Sequence, residues 1–218
     1  MGIFILVLFP SKCLSAGFGN IKIDLDQKKL EAGKIQVSTQ SFETGGEGVK
    51  KRVVGVLLIN ALPSTVWKII SDWENMSNFA PGLDYYKVKY VVPVLPSVPV
   101  KKSVIEGQLS LTLLSVLYTM EVSFDAPKMI IHWQLLSSDE ISQYKKIGVK
   151  LQYHTIGLKN IEGIAYIEPY RKGLKTVLYY APIIELSMPL PGFIERSIAR
   201  NTLKGFLNAL KKYAEEQN

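Results

Sequence analysis

The chain carries two histidines, His132 and His154, and a single cysteine, Cys13. A protein metal site needs three or four converging ligands, usually announced by paired His or Cys at turn or helix spacing. The sequence has no H-x-H, H-x3-H or C-x2-C pair, so no metal ligand is assigned. A serine hydrolase of the common strand–turn–helix kind would show a G-x-S-x-G elbow, and none occurs. Gly45, Gly46 and Gly48 in ETGGEG lie at the wrong spacing for a phosphate-binding loop, and a strand rather than a helix should follow them. The acid pairs Asp139-Glu140 and Glu215-Glu216 fall at an expected helix start and at the chain end, where solvated charge accounts for them. No catalytic residue and no cofactor is assigned. What remains is apolar and aromatic bulk, with one cation, Arg196, inside an apolar helical arc.

The bulk is densest in STVWKIISDWENMSNFAPGL (Ser64–Leu83). Val66, Ile69, Ile70 and Trp73 recur at i, i+3, i+4 and i+7, and Met76, Phe79, Ala80 and Leu83 repeat the spacing. Asp72, Glu74 and Asn75 interrupt the stripe. The pattern predicts two short helices with a bend, opened by Pro63 and closed by Pro81-Gly82. They follow the β-branched run RVVGVLLIN (52–60), which reads as a strand, as does KIQVSTQSF before it.

From Tyr85 onward the chain alternates. Tyr118, Met120, Val122 and Phe124 share one face of a strand, and Ile131, Trp133 and Leu135 share one face of the next, with His132 and Gln134 opposite. Such alternation marks an antiparallel sheet covered on one side. IEGIAYIEP and KTVLYYAPIIEL complete the strands. VVPVLPSVPVKK holds Pro93, Pro96 and Pro99 at every third position, a connector of fixed shape. A final helix is expected over 191–216, with Ala199, Leu203, Phe206, Leu207, Leu210 and Tyr213 in one stripe. So wide an apolar arc implies a concave partner. Arg196 inside it needs Glu185, Glu195, loop carbonyls or a ligand headgroup, because a buried unpaired cation costs several kcal/mol. Gly205 costs about 1 kcal/mol relative to alanine in a helix, which close packing on a sheet or room for a ligand would offset.

The 218 residues, 47% hydrophobic and 21% charged, suit one domain with an extension. The net charge of +7 comes from short basic clusters without the aromatic interleaving of a nucleic-acid surface. At the N-terminus, Ile3–Phe9 is an unbroken apolar run, too short to span a membrane, followed by Pro10 and small residues. It reads as a signal peptide cleaved near Ala16, which sends the protein out of the cytoplasm to the periplasm. The expected organisation is therefore 1–16 signal peptide, 17–49 N-terminal strand extension and 50–218 main domain.

The order of elements, with LINALPSTVWKIISDWENMSNFAPGL, MIIHWQL, IEGIAYIEPYRKGLKTVLYY and LPGFIERSIARNTLKGFLNALKKYAEE, resembles the START/polyketide-cyclase (SRPBCC, helix-grip) superfamily. The polyketide cyclase/dehydrase and coenzyme Q-binding START-like group is the nearest branch. The resemblance covers 50–216; Pro63, Val66 and Trp67, and Gly163–Pro169, carry it best. Residues 137–160 are longer than the family pattern. It implies an α+β helix-grip fold: a curved antiparallel sheet wrapped around the long C-terminal helix, two short helices after the first strand of the grip, and an apolar cavity between sheet and helix. Trp73, Phe79 and Leu83 would lie in the core or at the cavity end. Tyr118, Met120, Trp133, Arg196 and Gly205 complete the expected lining. The expected function is binding or transport of an apolar small molecule such as a lipid, quinone or isoprenoid. A cyclase or aromatase using the same cavity, and a chaperone or adaptor groove, are the alternatives. Loops 92–102 and 137–160, with Lys145, Lys146 and Lys150 beside Ile141, Tyr144, Ile147 and Leu151, are the expected portal, touching an anionic membrane transiently. Nothing in the sequence sets the oligomeric state.

Overall fold

In the computed structural model, residues 23–44, 48–93, 98–111, 114–152, 158–187 and 192–217 are described. Eight strands form one antiparallel sheet: β1 (Gln36–Thr44), β2 (Gly48–Ile59), β3 (Leu83–Val92), β4 (Val100–Leu111), β5 (Leu114–Asp125), β6 (Ile130–Leu135), β7 (Leu158–Tyr170) and β8 (Lys175–Leu186). The order across the sheet is β1-β2-β8-β7-β6-β5-β4-β3. Consecutive strands pair everywhere except between β2 and β3. There the chain leaves the sheet through α2 (Pro63–Ser71) and a 3-10 helix (Trp73–Asn78), and β2 pairs with β8 instead. The sheet is curved, and α4 (Gly192–Glu216) lies against its concave face.

The inward alternation read from β5 and β6 holds. Tyr118, Met120, Val122, Ile131 and Trp133 are buried in one core with Leu57, Ile59 and Leu178 of the neighbouring strands and Leu203, Leu207 and Leu210 of α4. The close approach of helix and sheet is made by Gly55 of β2: a Cβ there would collide with Leu207 and come within 3.2 Å of Leu203. Gly205 plays no such part, since a Cβ on it would meet nothing within 4 Å. Side-chain ties fix the ends of this assembly. The Asn60 amide donates to Glu215 of α4 at 2.8 Å, and the buried Thr176 hydroxyl donates to the Ala61 carbonyl at 2.7 Å.

Three features differ from the sequence expectation. The second of the two short helices is a 3-10 helix, because short polar side chains compete for backbone and neighbour bonds there; Asn75 donates to Asp72 at 2.8 Å. A short α1 (Gln27–Glu31), capped by Asp26, precedes β1. Finally, the sheet is covered on both sides. Val54, Val56, Leu58, Ile164 and Val177 on the convex face are buried beneath Leu30 of α1 and the segment carrying Ile23 and Leu25. The long connection after β6 covers the other part of that face. Its helix α3 (Ser138–Lys146) is opened by a Ser137–Glu140 capping box, and Ile141, Val149 and Leu151 pack on Val104. Glu106, buried on β4, pins this segment by accepting the Gln152 amide at 2.6 Å and pairing with Lys89 at 3.0 Å.

Candidate ligand cavity

Between the concave face and α4 lies a cavity of about 160 Å³. Tyr86 of β3, Tyr118 of β5, Trp133 of β6 and Tyr180 of β8 form its wall, Leu203 and Phe206 of α4 its roof, and Met76, Ala80 and Leu83 one end. Pro81, Ile184, Ile198, Ala199 and Thr202 line it where it reaches the surface. Ile184 and Ile198 are 38% and 40% exposed, against 2% for Tyr118 and 5% for Trp133, so the cavity runs from an apolar mouth to a deep aromatic wall.

The wall is a continuous run of rings. Trp73 contacts Tyr86 at 4.9 Å between centroids and Trp133 at 5.9 Å; Trp133 stacks on Tyr180 at 5.1 Å; Tyr180 meets Phe206 at 4.8 Å. Two glycines make room for it. Gly163 pairs with Trp133 across β6 and β7, and a Cβ on it would sit 2.5 Å from Cε2 of that ring. Gly107 pairs with both Tyr86 and Tyr118, and a Cβ there would sit 2.5 Å from Cδ1 of Tyr86 and 3.2 Å from Cζ of Tyr118. A side chain at either position would fill the space the aromatic rings occupy.

With Gly107 bare, the hydroxyls of Tyr86 and Tyr118 meet at 2.9 Å, the rings edge-on. Burial pushes the phenol pKa of Tyr86 well up, reinforced by Tyr118. Burial also raises Tyr118, partly opposed by its bond to Tyr86, and raises Tyr180. All three phenols therefore stay neutral at physiological pH. They are the only ionisable side chains among the described residues lining the cavity.

Of the residues singled out in the sequence, Tyr118 and Trp133 line the cavity, as does Leu83. Trp73 stands behind Tyr86 and Trp133, and its buried indole N–H has no hydrogen-bond partner among the described residues. Phe79 stacks on Tyr213 of α4 at 4.8 Å. Met120 is fully buried in the adjoining core. Gly205 lies on α4 outside the lining. Arg196 falls within α4, with its side chain outside the described residues. Glu185, one of its expected partners, is within 3.8 Å of Lys159. His132 is on the convex face, as expected, where burial lowers its pKa against the pull of Asp125; His154 lies outside the described residues. Among those residues no cluster of three metal-binding side chains occurs, and no helix is long and apolar enough to cross a membrane.

Of the expected portal residues, Ile141 and Leu151 are buried on the convex face, opposite the cavity, while Ile147 is 63% exposed. Pro99 and Lys101 of the other loop border a separate hollow of about 360 Å³ between α2 and β3–β4. Although larger, that hollow is edged by Asp72, Glu74 and Lys101 and lacks the apolar enclosure of a small-molecule site.

Tyr86 and Tyr180 are not singled out as lining by the sequence. Tyr86 precedes a register shift in β3 that breaks its alternation. Tyr180 sits on a strand apolar on both faces, where period-2 reading assigns no side.

No family model and no curated protein matches the sequence. Solved structures do. A START superfamily protein from Mycobacterium smegmatis superposes with a TM-score of 0.59 at 18% identity, over 77% of this chain and 99% of that one. A STAR-related lipid transfer protein from Xanthomonas axonopodis gives 0.56 at 12% identity, over 82% and 93%. The Zhui aromatase/cyclase from Streptomyces sp. R1128 gives 0.55 at 10% identity, over 84% and 95%. The fold is START-like. At these identities the likeness is one of fold, and α4 gripped by the curved sheet is its centre.

Proposed function

We propose that the protein binds and carries an apolar small molecule of the lipid, quinone or isoprenoid kind in the cavity between sheet and α4. The observation that carries this reading is the enclosed aromatic wall with an apolar mouth, a lining in which neutral phenols are the only ionisable groups described. Small-molecule sites are concave and mostly apolar, with few polar groups. The volume is close to that of an engineered apolar cavity of about 150 Å³ that takes up benzene. One ring or one branched five-carbon unit thus fits the enclosed part, and the rest of a longer ligand extends through the mouth.

Similarity in fold to both a lipid transfer protein and an aromatase/cyclase leaves a cyclase as the second reading. General acid–base work needs a group poised near the operating pH, and buried phenols with raised pKa values are not so poised. That favours carriage over catalysis. Titrating the protein with quinones, fatty acids and isoprenoid alcohols while following Trp133 fluorescence tests the proposal. A saturable response that Ala199→Trp at the mouth abolishes is expected; no response to any member of the panel would reject it. Export with cleavage near Ala16 and transient contact with an anionic membrane belong to the same proposal. N-terminal sequencing of protein from its native host and co-sedimentation with anionic liposomes test them.

A further inference from the structure

We infer that the ligand enters head-first: a neutral, ring-sized head bearing a hydrogen-bond-accepting oxygen sits against the Tyr86–Tyr118 pair, and an apolar tail leaves past Ile184 and Ile198. This rests on the cavity being the binding site.

The argument begins with protons. Two phenols that share one hydrogen bond hold two O–H groups, and the bond at 2.9 Å engages one of them. The other has no acceptor among the described residues. Buried polar groups in native proteins are paired almost without exception. A carbonyl-type oxygen on a ligand would supply the acceptor. An anion would not suit the same place. The described lining has no Lys, Arg or His to balance a carboxylate, and an ionised group without a counter-charge is strongly disfavoured in apolar surroundings.

Direction follows from the burial gradient. Tyr118 of the pair is 2% exposed, whereas Ile184 and Ile198 at the mouth are 38% and 40% exposed. A ligand with its oxygen at the pair must therefore send its apolar remainder outward. Size follows from the volume, which holds one ring.

Three probes isolate these points: 4-hexylacetophenone, its hydrocarbon isostere 1-hexyl-4-isopropylbenzene, and 4-hexylbenzoate, compared by fluorescence titration of the full chain. The ketone should bind about tenfold more tightly than the hydrocarbon, the value of one net hydrogen bond, and more tightly than the benzoate. In the Tyr86→Phe/Tyr118→Phe variant the ketone-to-hydrocarbon ratio should fall to about one, with hydrocarbon affinity retained. Retained hydrocarbon binding also reports that the variant is folded; the single Tyr86→Phe variant, with a smaller loss of ratio, serves if it is not. Extending the ketone's chain to dodecyl should leave binding intact. Equal affinity for ketone and hydrocarbon, tightest binding of benzoate, or loss of binding on chain extension would overturn the head-first inference and leave the cavity as a carrier site. Failure of all probes to bind would overturn both.

Discussion

Replacing Gly163 by alanine probes how tightly the cavity wall is built. The new Cβ would lie 2.5 Å from Cε2 of Trp133 and 2.9 Å from the carbonyl oxygen of Ala181. Both distances are below van der Waals contact, so something must move. The carbonyl belongs to the β7–β8 ladder and is the stiffer of the two. Trp133 is held from behind by Trp73 and stacked on Tyr180, so its open direction is into the cavity. One extra methyl in a well-packed core costs typically about 1–3 kcal/mol. For a chain of this size each kcal/mol lowers Tm by about 2–4 °C, which gives a drop of about 2–12 °C. The displaced indole should also reduce the affinity for a ring-sized probe. Thermal melts together with probe titration read both effects, and the near-UV circular dichroism of the tryptophans reports the ring's movement. A Gly163→Ala protein with unchanged Tm and unchanged probe affinity would refute the claim that this glycine exists to seat Trp133.

Gly205→Ala should act oppositely: its Cβ meets nothing within 4 Å, so the helix gains up to about 1 kcal/mol, visible as a small rise in Tm. Leu30→Ala should cost about 2–5 kcal/mol in denaturant unfolding, because Leu30 is buried against the convex face; a negligible change would mean that α1 is dispensable cover. Alkaline pH should loosen the cavity wall. With folded-state phenol pKa values raised for Tyr86, Tyr118 and Tyr180, the unfolded chain ionises first, near pH 10. Their contribution is complete below that pH and is lost as pH rises above it, by about 1.4 kcal/mol per unit for each group. Tyr118→Phe should flatten the fall of stability between pH 10 and 11.5 by one such increment, measured by denaturant unfolding.

Where one face of a strand carries polar side chains, alternation placed Tyr118, Met120, Val122, Ile131 and Trp133 in the concave core, though it did not single out Val116 of β5. The same rule had no purchase on β8, where Val177 and Leu178 are both buried, one on each face. There the period of two carries no sign, and Tyr180 could not be placed. The convex cover was obscured for a related reason. The insert's apolar residues Ile141 and Leu151 are mixed with lysines, and only the fold shows that they turn onto Val104. Gly107 and Gly163 owe their roles to cross-strand partners far away in sequence, information that a single strand does not hold. Gly205, conspicuous in its helix, lies outside the cavity lining.

Native mass spectrometry of the full chain purified from its own host, sprayed intact and then after organic extraction, tests the central claim most directly. Carriage predicts a mass increment on the folded protein that extraction removes, released as a neutral apolar molecule and absent from the Ala199→Trp variant. A folded protein of the bare chain mass from its own host, whose mass no member of the quinone, fatty-acid and isoprenoid panel increases, would contradict it.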